Sequence, residues 1–289
     1  MPQWNCNCAN CHQARAGRLA PATQSGIALS ADGLSWFLVN ASPDLRVQIE
    51  AFPGLHPSGP SSRHSPIEAV LLTNADLDHV LGLLLLREGD SLPIHATHAV
   101  RETLIKGLRL EMLLGSFCGV TWHEPPLGSF SPLPSRTGKA SGLSYRALAL
   151  ANAKPLYFQE SSAEGAQSIA YEIRDERTGA KLLIAPDVER ITPEFLNALR
   201  EADAVLFDGT FWSNDELQRI KGGSRTALEM GHLPIQTQSL EVLRELPARH
   251  KILLHINNTN PVLRPGSPER AEVEAAGITV GHDGLELEL

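Results

Sequence analysis

Apolar runs that stop abruptly at polar residues recur along this chain and divide it into alternating strand-type and helix-type segments. The clearest run begins at Ile67, predicts a strand over 67–73, and gives way to Asn74, Asp76, Asp78 and His79. The Val-Leu-Gly-Leu-Leu-Leu-Leu that follows predicts a helix over 80–87. Further strands are predicted at 25–31 and 35–41 around an Ala-Asp-Gly turn, and at 93–97, 168–174, 181–185, 204–207, 251–256 and 278–280. The segments 168–174 and 181–185 flank Asp-Glu-Arg-Thr-Gly, a hairpin signal. Helices are predicted at 43–52, 99–108, 193–201, 237–246 and 269–276, the first with Ser42 as N-cap and Pro43 at N1. Pro, Gly and Ser make 54–65 a loop and 128–142 a mobile loop rather than a linker. Several strands are apolar throughout, as sheets covered on both faces require. Two sheets with helices outside fit this order, and so does a doubly wound sheet; the motifs must decide.

Composition narrows the function classes. The net charge of -8 argues against an electrostatic grip on nucleic acid or an anionic membrane. No apolar stretch approaches the ~20 residues that span a bilayer, and no secretory signal is visible. Three of the four cysteines crowd one short segment, too close for a disulfide framework, so a cytoplasmic protein with a local metal clip is expected.

The strand ends carry the candidate chemistry. The run ending in Asn74, Asp76, Asp78 and His79 resembles the strand-end motif His-x-His-x-Asp-His of the metallo-β-lactamase fold, with Asn74 and Asp76 in place of the first two histidines. A late apolar strand ends in His255, where the resembled fold completes its metal site. The strand ending in Asp187 matches that fold's bridging aspartate, and Asp208 repeats the pattern. Asp78, His79 and His255 together offer two imidazoles and a carboxylate, the donor set of non-haem Fe(II) oxygenases. Amide and carboxylate oxygens at 74 and 76 are harder ligands than imidazole and speak against a zinc pair. Capping is the competing role for Asp76 and for Asp187, the latter before Pro193.

Cys6, Cys8 and Cys11 form the second cluster. Closely spaced thiolates suit a tetrahedral structural zinc and leave one position open, for which His12, His123 and Cys118 are candidates. Cys118 otherwise reads as a small core residue.

The cysteine segment, the Leu-Thr-Asn-Ala-Asp-Leu-Asp-His stretch and His-Ile-Asn-Asn-Thr-Asn-Pro together resemble the coenzyme PQQ synthesis protein B family. The resemblance implies an α/β fold, a metallo-β-lactamase-like αββα sandwich with two central mixed sheets and helices outside. It is expected to run as one domain over 1–289 with an N-terminal zinc clip at 1–15. Members begin with a strand and a Gly-rich turn before the Pro-Gln-Trp segment, so a first strand is expected to be missing and a sheet edge open. The resemblance puts catalytic iron on Asp78, His79 and His255 and zinc on Cys6, Cys8 and Cys11. It implies a role in making pyrroloquinoline quinone (PQQ). Two activities go with it: Fe(II)- and O2-dependent hydroxylation of the tyrosine ring in a Glu-Tyr-derived precursor, or non-catalytic carriage of PQQ or its precursor towards the periplasm. A zinc-dependent hydrolase is the further alternative.

Pocket groups expected beside the iron are Asp76, Asp187, Asn258 or Asn260, and His232 as acid or base. Arg225 reads as a solvated surface residue that could otherwise pair with a substrate carboxylate. The partners expected are the Glu-Tyr-derived precursor and, as a candidate assembly, a second copy of the chain, with no nucleic acid and no membrane insertion.

Overall fold

In the computed structural model, which describes residues 1–89, 91–151, 154–159, 163–223 and 225–289, the predicted alternation is realised. In chain order the elements begin with helix α1 (Ala9–Arg15), strands β1 (Ile27–Leu29) and β2 (Trp36–Val39), helix α2 (Leu45–Ala51), strand β3 (Ile67–Leu71), helix α3 (Leu77–Val80), strand β4 (Ser91–His95), helices α4 (His98–Lys106) and α5 (Leu110–Leu114), and strand β5 (Gly119–His123). Next come β6 (Ser131–Pro134), β7 (Ala140–Ala151), β8 (Ser168–Asp175), β9 (Lys181–Ala185), α6 (Pro193–Glu201), β10 (Ala204–Asp208), α7 (Glu216–Lys221), α8 (Leu240–Glu245), β11 (His250–Leu254), α9 (Pro268–Ala275) and β12 (Thr279–Val280). These fall into two compact units, 24–180 and 1–23 with 181–289. Among the described residues, no helix is long and apolar enough to cross a membrane.

In the 24–180 unit, β1 to β5 are neighbours in that order, with β1 antiparallel to β2 and the other pairs parallel. β6, β7 and β8 form an antiparallel set. The parallel strands explain the unbroken apolar runs: Val70, Leu71, Leu72 and Ile94 are fully buried. Tyr171 on β8 donates its hydroxyl to the carbonyls of Leu72 (3.2 Å), just past β3, and of His95 (3.3 Å), the last residue of β4.

Several local expectations are corrected. The 128–142 loop contains β6 and the start of β7; among the described residues β6 pairs with β7 alone, at the end of the strand order, where Pro132 and Pro134 are tolerable. The 80–87 helix begins earlier, as α3, and tightens into a 3-10 segment over Leu81–Leu86. The cause is a close backbone approach: Gly82 N–H donates to Ala41 O (2.8 Å) and Ala41 N–H to His79 O (2.7 Å). A Cβ at Gly82 would sit 2.2 Å from the carbonyl oxygen of Ser42. The 43–52 helix starts at Leu45 with Asp44 at the N-cap position; Ser42 instead accepts the Asp44 N–H at its hydroxyl. The 237–246 helix begins as a π-turn over Ile235–Ser239 before α8. α1, α5, β5 and α7 were not predicted; they are short, and brief amphipathic segments carry little periodicity.

In the other unit, β9, β10, β11 and β12 lie side by side and all parallel. Crossover segments carrying α6, α7 with α8, and α9 connect them, the order expected for parallel strands. α6 is capped by Thr192, whose hydroxyl accepts Phe195 N–H, so Asp187 is not that helix's cap. α7 carries a buried carboxyl. Glu216 accepts Trp212 N–H (2.8 Å) and the Thr259 hydroxyl (2.5 Å), and burial pushes its pKa up to about 7 against these hydrogen bonds.

Two outcomes follow. Gly82→Ala forces backbone apart next to His79 and should lower unfolding stability by about 2 kcal/mol or more, measured by denaturant titration. Glu216 keeps its proton when folded at pH values where the unfolded chain, with a carboxyl near 4.5, has lost it. Stability should therefore fall as pH rises towards 7, and Glu216→Gln should lose about 2 kcal/mol less than the parent between about pH 5 and about pH 8. Equal slopes for the two proteins in urea unfolding would show that Glu216 does not titrate this way.

Candidate metal centre

Parallel pairing brings three polar residues to one sheet edge. β9 and β10 are in register at Ala185 and Phe207, and β10 and β11 at Asp208 and Leu254. The residues leaving the carboxyl ends of these adjacent strands are Asp187, Asp208 and His255, the end of a parallel sheet at which ligand sites collect. Gly209 makes the approach possible: its N–H donates to Leu254 O (2.8 Å), and a Cβ there would meet Leu253 at 2.9 Å. His232 joins from the 227–233 loop, held by its own N–H to Ala227 O and by Leu233 N–H to Val188 O.

Asp208 organises the group. It is fully buried. Its Oδ2 accepts from Val188 N–H (3.0 Å) and faces His232 Nδ1 at 2.8 Å. Its Oδ1 accepts from Thr210 N–H (2.9 Å) and the Thr210 hydroxyl (2.6 Å). Burial pushes its carboxyl up, but the charge and hydrogen bond of His232, with His255 and Thr210, outweigh it and hold the pKa below the ordinary value. An ionised carboxylate only accepts, so His232 carries a proton on Nδ1 and Thr210 spends its single hydroxyl proton on Asp208. The Thr210 oxygen then faces His255 Nδ1, 2.9 Å away. His232 is thereby fixed as an Nδ1–H donor, which makes Nε2 the ligand nitrogen of its neutral ring, while His255 Nδ1 lies between the Thr210 hydroxyl and Asp187.

One ligand atom each from Asp187, His232 and His255 lies within 4.8 Å of the others. His232 Nε2 is 3.7 Å from Asp187 Oδ1, and His255 Nδ1 is 3.6 Å from the same oxygen. A lone pair aimed at a carboxylate calls for a cation. Burial pushes His232 down, yet Asp208 and then Asp187 overcome this and raise its pKa above the ordinary histidine value, so a proton is welcome where a metal ion would be. Two imidazoles and one carboxylate fit a divalent transition metal.

Asp78 and His79 belong to the 24–180 unit and His255 to the other. At the β3–α3 junction, Asn74 Oδ1 accepts Asp76 N–H (3.1 Å) and faces His79 Nδ1 at 2.7 Å. Since that oxygen is an acceptor, His79 also donates from Nδ1, and its Nε2 lies 3.9 Å from Asp78 Oδ2. Asn74, which stands where the resembled motif has its first histidine, orients His79. Asp76 occupies the N-cap position of α3, its carbonyl accepting His79 N–H.

The three thiols converge as expected, with ligand atoms within 4.8 Å of one another. None of the candidates for the fourth position lies in this group. His12 is exposed, Cys118 is buried in the hydrophobic core of the 24–180 unit, and His123 stacks on His95 there. Asn258, expected beside the iron, instead directs Nδ2 at the sulfurs of Cys6, Cys8 and Cys11 at 3.2, 3.6 and 3.4 Å. Burial raises the Cys6 thiol, but the Cys8 N–H and side-chain donors outweigh it and lower its pKa, while burial lifts that of Cys11. Soft thiolates with hydrogen-bond donors fit zinc. Arg225 is exposed and donates weakly to Glu229 O, the surface role expected.

The sequence reading missed the orienting hydroxyl of Thr210 and the full weight of Asp208. The Phe-Asp-Gly-Thr stretch at the end of an apolar strand is the signal that could have found them.

Comparison with known proteins places this geometry in a family. A model described as a beta-lactamase superfamily domain matches residues 35–256. Coenzyme PQQ synthesis protein B of Cupriavidus necator is 44% identical, covering all of this chain and 95% of that protein. The protein of the same name from Stutzerimonas stutzeri is 42% identical, with all of this chain and 96% of that one covered. The crystal structure of zinc-bound PqqB from Methylobacterium extorquens superposes with a TM-score of 0.88 at 38% identity, over all of this chain and 95% of its own. A diphosphatase of the PhnP family, 19% identical with a TM-score of 0.67 and 92% of its chain covered, shares the fold. The chain thus has the α/β metallo-β-lactamase-like fold and belongs to the coenzyme PQQ synthesis protein B family.

Proposed function

We propose that this protein acts in PQQ synthesis as an Fe(II)- and O2-dependent hydroxylase of the tyrosine ring in a Glu-Tyr-derived precursor, and that Asp187, His232 and His255 hold its metal. The observation that supports the reading is that one ligand atom each from Asp187, His232 and His255 lies within 4.8 Å of the others at the strand ends, with His232 held at Nδ1 by Asp208. Bound there, iron would supply the oxygen chemistry that no side chain can perform. The protein's own contribution is orientation: Asp208 holds His232 directly and His255 through Thr210. His232 stands between the two carboxylates, with Nδ1 2.8 Å from Asp208 Oδ2 and Nε2 3.7 Å from Asp187 Oδ1. Asp78 and His79 remain ligands by the sequence reading, with a carboxylate oxygen and an imidazole nitrogen 3.9 Å apart in their own unit. The thiols of Cys6, Cys8 and Cys11 take a structural zinc.

The zinc carried by the Methylobacterium extorquens relative favours a second reading, a zinc hydrolase activating water. Oxygen dependence separates the two. A carrier would bind PQQ or its precursor in equal proportion and form no product.

Protein purified without oxygen, loaded with Fe(II), and given a Glu-Tyr substrate and O2 should yield a product about 16 mass units heavier per oxygen atom inserted, read by mass spectrometry. Oxygen-independent turnover with zinc, or binding without product, would refute the oxygenase. Asp208→Asn removes the charge that orients both rings and should weaken metal binding about 10- to 100-fold in a competition titration. The same titration on Asp78→Ala and His79→Ala decides their part in holding metal.

A further inference from the structure

The thiol cluster and the histidine centre of the 1–23/181–289 unit are joined by a continuous set of buried and half-buried amides. Asn10 on α1 is 1% exposed. Its Nδ2 donates to the carbonyl oxygens of Asn258 (3.0 Å) and Asn260 (2.8 Å), and its Oδ1 accepts from Arg264 (2.9 Å). Asn258 holds the three sulfurs with its own Nδ2, and its carbonyl lies 3.4 Å from Cys8 Sγ. Asn260, fully buried, passes the connection on: Nδ2 donates to Gly209 O (2.9 Å) and Thr210 O (3.3 Å). Asn257 N–H reaches the same Thr210 carbonyl (3.1 Å). Thr210 is the residue whose hydroxyl sets the His255 ring.

Backbone conformation supplies the element this set can bias. His255 has φ 56°, in the left-handed region that a non-glycine residue keeps only where its surroundings enforce it. The His255 carbonyl lies 3.0 Å from the Thr210 hydroxyl, the Thr210 carbonyl is held by Asn257 and Asn260, and Asn258 is three positions further along the same turn. Metal at the cysteines turns three weakly accepting thiols into thiolates, to which Asn258 N–H bonds become charge-assisted.

We infer that Asn10 and Asn258 are positioning residues coupling the two centres: metal on Cys6, Cys8 and Cys11 fixes the 255–260 turn and so raises the metal affinity of Asp187, His232 and His255. The inference rests on the metal-centre reading above. Coupling of this kind is reciprocal, so metal at the histidine centre tightens the cysteine site by the same factor.

Cobalt(II) is a suitable probe, because its absorption separates thiolate from imidazole and carboxylate ligation. The full chain is titrated without oxygen as parent, Asn10→Ala, Asn258→Ala and Cys11→Ser, with unfolding midpoints measured alongside. All three variants should bind cobalt at the nitrogen–oxygen centre about 10-fold more weakly than the parent, although none of these residues touches that centre. The reverse arm uses His232→Ala and reads the thiolate band, which should saturate at higher cobalt concentration than in the parent. That arm decides the matter if a clip variant does not fold. Affinities equal to the parent's within about twofold in both arms would overturn the coupling while leaving the metal centre standing. A parent that shows thiolate absorption alone would overturn the metal centre, and the coupling with it.

Discussion

A single buried negative charge determines how the chemistry of the 1–23/181–289 unit is laid out. Asp208 has no solvent around it, so its charge is sustained by two backbone N–H groups, a hydroxyl and an imidazole. Such a group is stable only if every partner is present, and losing one leaves a desolvated anion behind. The same contacts dictate the proton position on His232 and anchor the hydroxyl that faces His255. Stability and reactivity are therefore not separable at this residue: the groups that keep the charge buried are those that prepare nitrogen ligands.

The protein carries two donor sets of different hardness. Thiolates at one end of the unit favour soft or borderline ions, while imidazoles with a carboxylate accept a wider range of divalent metals. The diphosphatase of the PhnP family shows that the same fold accommodates other activities, so function has to be argued from the side chains at the strand ends.

Much of this was legible from residues alone because parallel strands are apolar along their length and polar only where they end. The runs ending at Asp187, Asp208 and His255 each marked a strand end that carries a polar group, and the three neighbouring thiols announced their own cluster. What stayed hidden depends on contacts between residues far apart in sequence. Nothing near Asn258 in the chain says that its carboxamide meets Cys6, because the partner lies 252 positions away. Asn74 looked like a degraded ligand, and only the acceptor geometry of its oxygen reveals it as the group that orients His79. The edge strand β6 was concealed by prolines that would have excluded a central one.

The first 23 residues fold with the last 109 rather than with what immediately follows them. On a ribosome the three cysteines emerge while the amide that will cap them is some 250 positions from being translated. At ~5–20 residues per second, that interval lasts on the order of 10–50 s. Throughout it the nascent chain displays reduced sulfur with no permanent shelter. A cell making this protein must keep its thiols from oxidation, and from capture by the wrong ion, until Asn258 has been translated.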